Sequence, residues 1–106
     1  MDEQTLAKRI LTDAERYAQE RGMRLGDGAH QSFEQYAREA ARELVRDPGL
    51  SEGKVRAMVA VFERLIDEMI GSSKAIRGYS KRHPGVIGED TLARALRKLC
   101  PIFPFC

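Results

Sequence analysis

Residues 52–70 read EGKVRAMVAVFERLIDEMI, and they decide the fold because they form the most apolar periodic segment of the chain. The apolar side chains recur at helical spacings of three and four: Val55, Met58, Val59, Val61, Phe62, Leu65, Ile66, Met69 and Ile70. This stripe is wider than a surface helix needs, so we predict a central helix that other helices cover on most sides. Ser51 is a good N-cap. The helix ends either at Ile70, before Gly71, or at Arg77, before Gly78.

Two more helices are predicted upstream, over residues 5–21 and 29–46. Their core-facing residues recur at helical spacings: Leu6, Ile10, Ala14, Tyr17 and Ala18 in the first, and Phe33, Tyr36, Ala37, Ala40, Ala41 and Leu44 in the second. Asp2 or Thr5 can cap the first helix. Gly22 and Gly26-Asp27-Gly28 predict a loop between the two helices. Pro48 predicts the end of the second helix, because the residue before a proline avoids the helical region.

A fourth helix is predicted over residues 89–99, with Leu92, Ala95, Leu96 and Leu99 on its buried side. Residues 100–106 follow as an apolar tail, because Pro101 and Pro104 exclude a helix or a central strand there. No strand-like alternation extends beyond four residues. We therefore predict an all-α fold, a single-domain bundle of about four helices with a proline-containing apolar C-terminal tail.

Length and composition limit the class of protein. The chain has 106 residues, of which 42% are hydrophobic and 32% charged. A chain of this length can form one hydrophobic core, and its hydrophobic content is too high for a disordered chain. No apolar run approaches the ~20 residues that span a bilayer, and no secretory signal pattern opens the chain. With 13 arginines against 5 lysines, the composition suits a GC-rich bacterial genome, and we expect a bacterial cytoplasmic protein.

Residues that could carry catalysis or hold a metal are few. The chain has two histidines, His30 and His83, and two cysteines, Cys100 and Cys106, at spacings that match no zinc motif. No Ser-His or Cys-His arrangement and no phosphate-binding glycine loop is evident. We therefore expect no enzyme activity, no cofactor, no metal site and no small-molecule substrate. Whether the two cysteines are redox-active stays open.

Charge is distributed unevenly along the chain. Residues 1–70 carry 11 basic and 14 acidic side chains, whereas residues 71–106 carry 7 basic and 2 acidic ones. The leading hypothesis is a non-catalytic helical interaction module that binds a protein partner or a second copy of itself. In this hypothesis aromatic side chains of the tail are anchors and the adjacent basic loop steers an acidic partner: Lys81, Arg82, Ile102, Phe103 and Phe105.

The alternative hypothesis is a nucleic-acid-binding regulator. Cations of the 74–83 segment would contact phosphates, and the exposed side of the last helix would lie at a groove: Lys74, Arg77, Lys81, Arg82, Arg94, Arg97 and Lys98. Against it, the connection from Gly71 to Gly88 is much longer than a helix-turn-helix turn. The acidic residues Glu89 and Asp90 also open the would-be recognition helix, where they would repel phosphate.

Overall fold

The computed structural model describes residues 2–75, 86–87 and 89–99. The helices are α1 (Glu3–Glu20), α2 (Asp27–Arg46), α3 (Glu52–Ala75) and α4 (Glu89–Leu99). Two short strands, β1 (Arg24–Leu25) and β2 (Val86–Ile87), precede α2 and α4. The prediction of an all-α fold with four helices is confirmed. The predicted tail, residues 100–106, lies outside the described residues.

The first helix begins earlier than predicted, at Glu3, because Asp2 is its N-cap and not Thr5. The carboxylate of Asp2 accepts a hydrogen bond of 2.7 Å from the backbone N–H of Thr5, and this bond lowers the pKa of Asp2. At the other end Gly22 has φ +74°, in the left-handed region. The N–H of Gly22 donates to Gln19 and that of Met23 to Ala18, which satisfies carbonyls at the helix end.

The loop between α1 and α2 is shorter than predicted. We expected the second helix to start at residue 29, but it starts at Asp27, so Asp27 and Gly28 belong to the helix and not to the loop. Gly26 is the N-cap residue in an extended conformation, and its carbonyl accepts from His30. An aspartate at the first position suits the positive end of the helix dipole, which favours this earlier start.

The turn between α2 and α3 follows the sequence prediction. Asp47 precedes Pro48 and adopts ψ 115°, which ends α2. Its carboxylate accepts from the backbone N–H of Gly49 at 2.8 Å and from Nζ of Lys54 at 2.5 Å. The hydroxyl of Ser51 accepts from the N–H of Lys54 at 3.3 Å and so caps α3.

The third helix does not end at Ile70. It continues through Gly71 to Ala75, so the shorter predicted end is wrong, and the longer one, at Arg77, lies outside the described residues. A glycine inside a helix costs only about 1 kcal/mol relative to alanine. Met69, two residues before Gly71, is fully buried in the core.

The strands pair in parallel, Arg24 with Val86 and Leu25 with Ile87. This pairing was not predicted from the sequence, because a two-residue strand is too short to show alternation. A signal is nevertheless present, since each strand ends on an aliphatic residue followed by glycine and an acid, Leu25-Gly26-Asp27 and Ile87-Gly88-Glu89. The pairing sets the starts of α2 and α4 side by side.

The core lies among all four helices. Helix α1 packs on α2 and α3, whereas α3 packs on α1 and α4 and also contacts α2. Phe33 and Phe62 meet edge to face at its centre, with ring centroids 5.8 Å apart. The largest fully buried side chains come from α1, α2 and α3, and α4 adds one more: Leu6, Ile10, Phe33, Val55, Phe62, Leu65, Ile66, Met69 and Leu92.

Candidate interaction surface

Helix α4 has one apolar side and one basic side. Leu92 and Ala95 are buried, Leu96 is half-buried, and Arg94 and Arg97 are exposed. The helical period explains the division, because residues three and four apart share a side. Residues 94 and 97 therefore lie next to each other on the solvent side, while the helix is held to α3 by its opposite face.

The two arginines of α4 form no salt bridge with any described side chain. Asp90 stands four residues before Arg94 in the sequence, but its side chain is outside the description. Two neighbouring guanidinium groups without a neutralising carboxylate create a positive local potential, which attracts anionic groups. Each guanidinium can bind a carboxylate or a phosphate through two parallel hydrogen bonds.

Most cations of the first three helices are instead neutralised within the fold. Some of these cations pair with a carboxylate of the same helix and others with a carboxylate of another element. The paired cations are Arg9, Arg16, Arg21, Arg38, Arg42, Arg46, Lys54 and Arg56. Of the other described cations outside α4, Lys8, Arg24 and Arg64 form no salt bridge. The described cations of α1, α2 and α3 are thus mostly paired, whereas Arg94 and Arg97 have no salt-bridge partner among the described side chains.

One of these pairs joins α1 to the start of α3. The guanidinium of Arg9 donates to both carboxylate oxygens of Glu52, with Nη1 and Oε2 3.0 Å apart. The hydrogen bonds from Arg9 hold the pKa of Glu52 below its usual range, and those to Glu52 raise the pKa of Arg9. Bidentate geometry makes such a pair stronger than an ordinary surface ion pair.

A second link between α1 and α3 is built around Tyr17. Its hydroxyl donates to the carboxylate of Asp67, at 2.8 and 2.9 Å from the two oxygens, and this bond raises the pKa of Tyr17. The guanidinium of Arg21 lies over the Tyr17 ring, 3.3 Å from its centroid, and approaches Asp67 at 3.6 Å. Together, the hydrogen bond, the cation–π contact and the ion pair join the C-terminal part of α1 to α3.

His30 lies in the first turn of α2, near Glu34 and Glu15. Its Nε2 is 3.7 Å from Glu34, while its Nδ1 is 2.6 Å from Oε1 of Glu15 on α1. That Oε1 atom is buried and accepts no hydrogen bond from a described group. The two carboxylates approach opposite ring nitrogens and therefore do not converge on one point where a metal ion could bind.

Only part of the predicted surface falls within the described residues. Arg94 and Arg97, which were predicted for the nucleic-acid alternative and not for the protein-partner surface, lie together on α4. Lys74 lies in the last turn of α3 and Lys98 in α4, but their side chains are not described. The remaining predicted residues lie outside the description: Arg77, Lys81, Arg82, Ile102, Phe103 and Phe105.

Two grooves flank α1, and neither was predicted from the sequence. The groove between α1 and α2 encloses about 440 Å³ and is lined by Glu3, Gln4, Ala7, Lys8, Leu11, Glu34, Arg38 and Arg42. The groove between α1 and α3 encloses about 270 Å³ and is lined by Asp13, Arg16, Tyr17, Glu20, Val59 and Glu63. Cations outnumber acids in the first groove, and acids outnumber cations in the second.

Two features are absent from the described residues. They contain no group of three or more His, Cys, Asp or Glu side chains placed to hold a metal ion. No described helix combines the length and the apolar character needed to cross a membrane. In comparisons with known proteins, no family model, no curated protein and no solved structure matches this chain.

Proposed function

We propose that this protein is a non-catalytic helical interaction module that binds an acidic protein partner. The observation that carries the proposal is the exposed side of α4, where Arg94 and Arg97 lie together and form no salt bridge with any described side chain. Cations that a fold leaves uncompensated beside a rigid, packed helix are available to a partner without breaking an internal pair. The scaffold is suited to this role, because Leu92 and Ala95 fix the helix that presents them.

Two predicted elements complete the proposed surface. Lys81 and Arg82 in the basic loop would add to the positive potential and steer the partner towards α4. Ile102, Phe103 and Phe105 in the tail, which follows α4 directly, would supply apolar anchors, since aromatic side chains dominate the binding energy of interfaces. The same anchors could engage a second copy of the chain.

The experiment compares two charge-reversed variants in binding to a fluorescently labelled glutamate-rich peptide. We expect Arg94→Glu with Arg97→Glu to weaken binding at least tenfold, because two like-charge contacts replace two attractive ones. The matched control is Arg24→Glu with Arg64→Glu, which changes the net charge by the same amount at exposed arginines that also form no described salt bridge. Equal loss in both variants would show a net-charge effect and contradict a site on α4.

Tail truncation tests the anchors separately. A chain that ends at Leu99 should lose affinity for a partner and keep its oligomeric state if the tail is an anchor for another protein. It should lose self-association if the tail binds a second copy. A truncated chain that only becomes less stable would identify the tail as part of the core, and the anchor hypothesis would fail.

Nucleic acid is the second candidate, because guanidinium pairs bind phosphates as well as carboxylates. In this case Lys74, Arg77, Lys81 and Arg82 would contact the backbone, with Arg94, Arg97 and Lys98 beside a groove. Charge reversal at Lys81 and Arg82 should then weaken binding to every DNA sequence tested. Unchanged binding would remove these two residues from the interface.

A further inference from the structure

The two grooves beside α1 differ in which charge is left without an ion pair. In the α1–α2 groove, Arg42 pairs with Glu3 at 3.2 Å and Arg38 with Glu34 at 2.6 Å. Lys8 is exposed on the same rim, and it forms no salt bridge with a described side chain. The groove therefore has one uncompensated positive charge.

The α1–α3 groove has the opposite excess. Asp13 approaches Arg16 at 3.9 Å and Arg9 at 3.8 Å, and Glu20 approaches Arg21 at 4.0 Å. Glu63, on the α3 rim, is half-buried and forms no salt bridge within the described part of the chain. It helps to raise the pKa of Tyr17, which is the effect of a repulsion between negative charges. Glu63 therefore has no paired cation among the described side chains.

Apolar surface accompanies each uncompensated charge. Ala7 and Leu11, one turn apart on α1, are half-buried and line the first groove beside Lys8. On α3, Val59 is half-buried one turn before Glu63, and Ala60 next to it is exposed. The α3 side of the second groove thus has an aliphatic part and a negative charge. The α1–α2 groove has an aliphatic floor and a positive charge.

From this complementarity we propose that the chain associates with a second copy of itself head to tail. The α3 rim of one copy, with Val59 and Glu63, is seated in the α1–α2 groove of the next, where Glu63 pairs with Lys8 and Val59 contacts Leu11. The two surfaces differ, so the contact is heterologous and can repeat along a chain of copies or close into a ring. It involves α1, α2 and α3, and does not depend on the acidic partner proposed for α4.

The expected association is weak and depends on salt. We expect the α3 rim in the α1–α2 groove to bury less surface than a stable dimer requires, so the complex should be transient. The Lys8–Glu63 pair lies at a rim, where dissolved salt screens it. Sedimentation velocity from micromolar to millimolar protein, at low and at high salt, measures both properties. The sedimentation coefficient of the wild-type chain should rise with concentration at low salt and less at high salt.

Charge exchange makes the test specific. Lys8→Glu and Glu63→Lys should each abolish the concentration dependence. The chain with both changes should regain it, because the two charges are then exchanged across the contact and attract each other again. An equimolar mixture of the two single variants should also regain the concentration dependence, because opposite charges then face each other in every contact between unlike variants. Arg94→Glu with Arg97→Glu should associate as the wild type does.

The two single variants also separate the proposal from a net-charge effect. The chain has a formal net charge of +2, which Lys8→Glu reduces and Glu63→Lys increases. General self-repulsion would therefore change association in opposite directions, whereas the proposed contact is lost in both. A concentration-independent sedimentation coefficient for the wild type, or a double variant that does not regain association, would overturn the proposal.

Discussion

The arginine side chains of α1, α2 and α3 form different contacts from those of α4. In α1, α2 and α3 almost every described arginine pairs with a carboxylate, and several pairs, such as Arg9–Glu52 and Arg42–Glu3, join two helices. In α4, Arg94 and Arg97 face solvent without a described salt bridge. The first arrangement supports packing of the body, whereas the second leaves charge available to another molecule. The difference indicates which part of the surface to test for binding.

The largest expected loss of stability comes from the centre of the body. Phe62→Ala removes the ring that meets Phe33 and leaves a cavity, so we expect a loss of about 3–5 kcal/mol in the free energy of unfolding. Urea denaturation followed by circular dichroism measures it. Val45→Ala, at a site 37% exposed, is the control and should change stability by less than about 0.5 kcal/mol. An equally small effect at Phe62 would contradict the described core.

A smaller loss is expected where α4 joins the body. Leu92 is 2% exposed, and Leu92→Ala should lower the free energy of unfolding by about 2–4 kcal/mol. Arg97→Ala on the opposite side should cost less than about 0.5 kcal/mol. If both substitutions had the same small effect, α4 would not be docked through its apolar side, and its arginines would not be held in a fixed arrangement.

The fold could be predicted from the sequence where periodicity and caps agree. The fourth helix, 89–99, has the predicted bounds, and Ser51 and Pro48 act as expected. It was harder to predict from the sequence that Gly28 and Gly71 lie inside helices. Local propensity disfavours glycine there by about 1 kcal/mol, which packing against the rest of the protein easily exceeds.

The candidate surface was predicted only in part. The helical period placed Arg94 and Arg97 on one exposed side, since that depends on local spacing alone. The ion pairs between helices could not be predicted in the same way. Arg9 and Glu52 are 43 residues apart, and only the packing of α1 against α3 brings them together. Lys8 and Glu63 form no salt bridge with a described side chain, and this could be recognised only after the pairs between helices were known.

Two glycines give opposite expectations of similar size. Gly71→Ala should raise the free energy of unfolding by about 1 kcal/mol, because an added Cβ meets nothing within 4 Å in a helical backbone. Gly22→Ala should lower it by about 1–2 kcal/mol, because φ at Gly22 is +74°. Thermal unfolding of the two variants checks the signs. A destabilising Gly71→Ala would contradict a helix that continues to Ala75.

The paired carboxylates of the body predict a loss of stability in acid. Hydrogen bonds from Lys54 and the Gly49 N–H lower the pKa of Asp47, and hydrogen bonds from Arg9 lower that of Glu52. Each group therefore binds protons more readily in the unfolded chain. Its stabilising contribution is complete above the usual carboxyl pKa and is lost as pH falls through the lowered value.

Unfolding free energies measured from neutral to acid pH test this effect. Asp47→Asn and Glu52→Gln should each make the decline with falling pH less steep. Glu43→Gln is the control, because its 3.9 Å pair with Arg46 lies on one exposed helix surface and joins no second element. A decline that stays unchanged in both test variants would contradict the two described pairs.

The measurement that tests the central claim most directly compares two anionic probes on the wild-type chain. Fluorescence anisotropy follows a labelled glutamate-rich peptide and a labelled mixed-sequence duplex DNA from low to physiological salt. We expect the peptide to bind more tightly than the DNA, with an affinity that falls as salt rises. Tighter DNA binding, with a log–log salt slope of about −4 as four phosphate contacts would give, would contradict it and favour the nucleic-acid hypothesis.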